Sequence, residues 1–110
     1  MAIDWGQVEK DAEAAVAGVL ANDWQTVKTA ASAQLTALIQ VAQSIEQQAQ
    51  AKSITQAEYE SLKLGQQRAL SGILHSYAAI GIVIAEQAAA AAWDVVAQAL
   101  RTAYKLPFLF

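Results

Sequence analysis

The sequence predicts an all-α protein, and three observations predict it. Alanine and glutamine fill stretches such as "QVAQSIEQQAQAK" and "EQAAAAAW", and both residues lose little by entering a helix. No run alternates apolar and polar residues with the two-residue period of a strand, and the single proline is Pro107. Along residues 70–95, finally, Leu70, Leu74, Tyr77, Gly81, Ile84, Ala88, Ala91 and Val95 recur in alternating steps of four and three, a heptad pattern.

The first helix is placed over residues 5–21. In "IDWGQV", Asp4 followed by Gln7 fits a variant of the capping box, with Ile3 and Val8 positioned to close a hydrophobic staple. The second runs over 24–52, because "LANDWQTV" offers Asn22 or Asp23 as an N-cap. The third has the clearest start. In "ITQAEY", Thr55 can cap, Glu58 can reach back to it, and Ile54 and Tyr59 occupy the staple positions. With no proline or cap before Pro107, this helix is expected to run over 56–105, followed by an apolar tail at 106–110.

An unbroken third helix would be about 75 Å long, and helices 1 and 2 end to end would be of the order of 70 Å. These matching lengths suggest a long αα-hairpin turning at "AKSIT", or an extended three-helix bundle if helix 1 folds back. A break near Gly81 or Glu86 would give a compact four-helix bundle instead. The elongated forms leave their apolar stripe uncovered and need partners. The heptad residues are therefore expected to form a seam between copies, with leucine at Gly81 disrupting assembly and glutamine at Ala92 tolerated.

Apolar residues make up 55% of the 110-residue chain and charged residues only 15%, which leaves a polar but weakly charged surface. Net charge is −3, and residues 1–23 hold five carboxylates against Lys10 alone. Nowhere do Lys and Arg form the basic stripe that phosphate recognition needs, so no direct nucleic-acid binding is expected. The absence of cysteine removes disulfides, thiolate chemistry and most structural zinc sites. The acidic "MAIDWGQVEKDAEAA" lacks the basic-then-apolar order of a signal peptide, which makes a cytoplasmic or virion location the expectation and the host envelope the alternative.

Residues 69–85 carry no formal charge, but 17 residues span only about 26 Å of a hydrocarbon layer of roughly 30 Å. Extension toward Trp93 brings in Glu86, whose cost at depth roughly cancels the gain from the aliphatic side chains. Insertion of a lone helix is marginal.

No catalytic, cofactor-binding or metal-binding residue stands out, and no enzyme is expected. His75 lacks the Glu-x-x-His spacing of a di-iron bundle, so it reads as a hydrogen-bonded core or interface residue. Glu86 stands among alanines and isoleucine, either facing water or buried and pore-facing. Trp5, Trp24 and Trp93 each stand near an expected helix end, as an interfacial belt or as covers for a core. In "YKLPFLF", Pro107 stops the helix and leaves Phe108, Leu109 and Phe110 beyond it, expected to dock on their own or a neighbouring subunit.

The alanine- and glutamine-rich helices of residues 24–105 resemble the helical internal and ejection proteins of tailed bacteriophages. That resemblance implies a structural role in a homomeric assembly, with virion or assembly proteins as further partners, and it carries over no functional residue. The expected function is that of a non-enzymatic assembly protein that forms a homo-oligomer. A membrane-active protein, pore-forming or holin-like, is the second reading. A metal- or cofactor-binding bundle is the third.

Overall fold

Four helices make up the computed structural model, which describes residues 3–105: α1 (Trp5–Leu20), α2 (Trp24–Gln50), α3 (Gln56–His75) and α4 (Ile82–Ala103). A short 3-10 turn, Ala21–Asp23, joins the first two. Each helix start has a local cause. Asp4 Oδ1 accepts from the Gln7 backbone N–H at 3.1 Å and begins α1, while the Gln7 side chain donates to Asp11 rather than back to the cap. At α3 the capping box is reciprocal: Thr55 Oγ1 accepts from Glu58 N at 3.1 Å, and Glu58 Oε1 accepts from Thr55 N at 3.3 Å. Ile54 and Tyr59 are both buried, as a staple requires. Asn22 and Asp23 do not cap α2; the chain reverses there through Ala21, whose φ of 53° is costly for a residue with a Cβ.

The third helix is not continuous. α3 ends at His75, and residues 76–81 turn the chain before α4 begins, so the single helix over 56–105 is corrected to two and the long hairpin is excluded. The break needs no proline. Ser76 Oγ donates to the Ile73 carbonyl at 2.6 Å and His75 Nδ1 donates to the Ile80 carbonyl at 3.2 Å, together closing the turn. Gly81, extended at φ −72° and ψ 159°, stands as the N-cap of α4. Ile80, Ile82, Val83 and Ile84 are β-branched and disfavour helix locally, so continuation has little intrinsic support. Breaking there lets α4 fold back and bury Ala85, Ala88, Ala89, Ala92, Trp93 and Val96, which a free helix would leave in water.

The result is the four-helix alternative, with extents of 42 × 25 × 20 Å. Side-chain pairs and short connections fix its topology. Trp5 reaches Glu46 and Glu9 meets Thr36, so α1 and α2 run antiparallel, and the short connections between the other consecutive helices, which pack on each other, reverse the chain in the same way. α1 closes the ring against α4 in the most extensive of the helix pairings, with α3·α4, α1·α2 and α2·α3 completing the square. The face that α4 turns inward is largely alanine, which permits close approach. Val16, Val27, Leu35, Leu38, Ile45, Leu70, Leu74, Val96 and Leu100 fill the centre, and among the described residues no polar or charged side chain is buried.

Candidate functional site

The break at residues 76–81 redistributes the residues that the sequence grouped as a seam. Leu70, Leu74 and Ala88 lie in the chain's own core. Tyr77, Ala91 and Val95 are half-buried, Gly81 sits in the connection, and Ile84 is 41% exposed. They are not one intermolecular stripe, because the helix that would have aligned them is two helices running in opposite directions. Glu86 is exposed and faces water. His75, also exposed at the surface, serves the turn through its bond to Ile80. The expected docking residues Phe108, Leu109 and Phe110 lie outside the described residues.

Three features remain that could carry function, and each sits at an end of the bundle. The first is an apolar tip. Ile82 and Val83 are 55% and 62% exposed, and with Ile84, Ala78 and Ala79 they make the α3–α4 end of the molecule apolar. Soluble monomers rarely expose contiguous apolar patches of more than a few hundred Å² without a use for them.

The second, at the opposite end, is a polar knot joining three helices. Trp5 Nε1 donates to Glu46 Oε1 at 2.8 Å, Tyr104 Oη donates to Glu46 Oε2 at 3.0 Å, and Gln50 Nε2 donates to Tyr104 Oη at 2.9 Å. Each oxygen of the carboxylate accepts from a neutral donor, an arrangement that fastens the ends of α1, α2 and α4 to one another. Sequence reasoning missed Glu46, Gln50 and Tyr104. Their only signal was position, at helix ends that meet once the topology is known.

Burial pushes the Tyr104 phenol above its ordinary value of 10.0, and its bond to the Glu46 carboxylate adds to the shift. Burial likewise raises Tyr59, whose hydroxyl accepts from Trp93 Nε1 at 3.1 Å. A phenol whose pKa is higher in the folded state supplies stability that is complete below the unfolded value and lost as pH rises through the folded one. Denaturation midpoints are therefore expected to fall as pH is raised from about 9 to about 11, following tyrosinate absorbance. The double variant Tyr59→Phe/Tyr104→Phe should be less stable at neutral pH yet show a shallower alkaline slope. An unchanged slope would detach the two phenols from the alkaline transition.

The third feature is a groove of about 580 Å³ between the start of α1 and the end of α4. Ile3, Val8, Val95, Ala99 and Ala103 supply its half-buried and buried apolar lining, and Asp4, Asp11 and Asp94 stand exposed around it. Asp4 is engaged as the α1 cap and Asp11 by Gln7, so the acidic residues are in part structural. No group of three or more His, Cys, Asp or Glu side chains is placed to hold a metal ion among the described residues. Nor is any helix among them long and apolar enough to cross a membrane. Comparison of the chain with protein-family models, with curated proteins and with solved structures finds no match.

Proposed function

We propose that the protein is a non-enzymatic assembly module that associates with further copies of itself through the apolar tip of the bundle. The observation that carries this reading is the exposure of three consecutive branched side chains, Ile82, Val83 and Ile84, at 55%, 62% and 41%. Of the other large aliphatics among the described residues only Leu64, at 45%, is exposed, and it stands alone, whereas these three are consecutive. Their burial against the same tip of a second copy removes both apolar surfaces at once, the self-complementary geometry of a two-fold contact. A component of a phage virion or ejection conduit is the setting to which the compositional resemblance points.

Glutamate at 82 and 83 provides the test. Both positions lie in the first turn of α4, where a carboxylate is favoured by the helix dipole by about 0.3 to 1 kcal/mol, so the helix should not suffer. The wild-type chain is expected to sediment as an oligomer that dissociates on dilution, and Ile82→Glu/Val83→Glu as a monomer of equal or higher melting temperature. A wild-type protein that is monomeric at micromolar concentration defeats the reading.

The same tip favours a second reading, contact with a bilayer. It belongs to the uncharged stretch over residues 69–85 and presents aliphatic side chains of the kind that enter the headgroup boundary. Flotation with vesicles separates the two, since a self-associating module stays in the aqueous fraction.

A further inference from the structure

We propose that His75 makes self-association through the apolar tip sensitive to pH, with copies joined at neutral pH and released in acid. This rests on the tip being a contact between copies, as proposed above, and adds the group that regulates it. His75 is the single histidine of the chain, and histidine is the side chain whose charge changes between about pH 5 and about pH 8.

Two observations place His75 at the tip. Its Nδ1 lies 3.2 Å from the carbonyl oxygen of Ile80, two residues before Ile82. The register of the helices agrees: Ser71 of α3 and Glu86 of α4 line one groove between them, so one turn nearer the connection His75 stands opposite Ile82. The ring is exposed, as Ile82 and Val83 are, and a copy seated on those side chains covers it as well.

A carbonyl oxygen only accepts, so the neutral ring carries its hydrogen on Nδ1, and Nε2 is the nitrogen that takes up a proton. Protonation therefore keeps the bond that closes the turn. It changes the charge of the tip without changing the fold. In the free chain that charge is solvated, whereas in a two-fold contact it is pressed against aliphatic side chains with a second imidazolium in the same interface. The C-terminal dipole of α3 favours the imidazolium in free and joined copies alike.

Neighbouring charges offset it little. Residues 69–85 carry none, and the α3–α4 face brings Glu86, one turn beyond Ile82, and Arg68, two turns back from His75, of opposite sign. The connection between α1 and α2 brings Asp23 to the same end, α2 brings Lys28, again opposed, and α1 has no charged residue after Glu13. Joined copies thus bind fewer protons than free ones, and by linkage association weakens as pH falls.

Sedimentation of the full chain over a dilution series, at about pH 7.5 and at about pH 5.5, where free carboxylates are still ionised, tests this. The wild-type dissociation constant is expected to rise by about tenfold or more at the lower pH. His75→Gln keeps a donor for the Ile80 carbonyl but has no basic nitrogen, so it should associate equally at both. His75→Lys, charged at either pH, should be weakened already at the higher one. In the wild-type protein the His75 ring resonances should titrate at lower pH in a concentrated sample than in a dilute one. A wild-type chain that is monomeric at the higher pH overturns the reading of the tip, and the switch with it. The role of His75 alone is overturned, with the tip still the contact, if wild-type association is equal at both pH values, if His75→Gln dissociates in acid as wild type does, if His75→Lys associates like wild type, or if the ring titration ignores concentration.

Discussion

Replacing Trp93 by alanine is expected to destabilise the protein by about 3 to 5 kcal/mol, the usual cost of truncating a buried aromatic. Trp93 is the largest fully buried side chain, at 1% exposure, and stands twelfth in a helix that packs on both neighbours. Its ring lies 6.1 Å from that of Tyr59, tilted by 57°, and its N–H is bonded to the Tyr59 hydroxyl. Alanine therefore leaves a cavity and removes a hydrogen bond and an aromatic contact together. Against a typical stability of about 5 to 15 kcal/mol, the melting temperature should fall by about 15 °C or more. Trp93→Phe should cost less, because it retains most of the ring and loses the hydrogen bond. Equal effects of the two would mean that the volume of Trp93 does not matter and that the core is centred elsewhere.

The pair Ala92→Gln and Gly81→Leu should separate sharply, in the order opposite to the one the sequence suggests. Ala92 is fully buried on the alanine face of α4, so glutamine there both overpacks the site and buries an amide. Overpacking costs about 1 to 3 kcal/mol and an unsatisfied buried amide about 1 to 3 more, enough to unfold a marginal bundle. At Gly81 a Cβ would meet nothing within 4 Å, and its φ of −72° suits any residue. Leucine there gives up only a modest capping preference, about 1 kcal/mol, and adds apolar surface to a tip that is already apolar. Circular dichroism melts of the two variants decide it: a Gly81→Leu protein that unfolds while Ala92→Gln melts like wild type would restore a continuous helix through residue 81.

What was legible in the sequence was what neighbouring residues determine among themselves. The Thr55–Glu58 box and the Asp4 cap are contained within a few positions, so the starts of α3 and α1 could be read directly. All-helical character follows in the same way from alanine, glutamine and the lack of strand periodicity. The break at residues 76–81 was not legible, because it is made by Ser76 and His75 bonding to carbonyls a few residues away and by the gain from folding α4 back. The heptad pattern misled for a physical reason. The buried face of α3 supplied Leu70 and Leu74 and that of α4 supplied Ala88, and a four-three spacing bridged them across a turn. Trp93, expected near a helix end as a cover or part of a belt, is instead fully buried at the middle of α4, where its burial depends on the helices folded against it. The groove was invisible altogether, since its two walls are about ninety residues apart in the chain.

The antiparallel ring also has a kinetic meaning. α1 with α2, α2 with α3 and α3 with α4 are joined by connections of a few residues, so those pairings close small loops and form early. The α1·α4 pairing is different: it is the most extensive in the molecule and the most distant in sequence. Its assembly must wait until the hairpins have shortened the path between its halves. Interactions that form after the rate-limiting barrier leave the folding rate unchanged and set how slowly the native protein comes apart. Substitutions in the interface between the first and last helices are thus expected to change the unfolding rate more than the folding rate, which stopped-flow measurements of both would check.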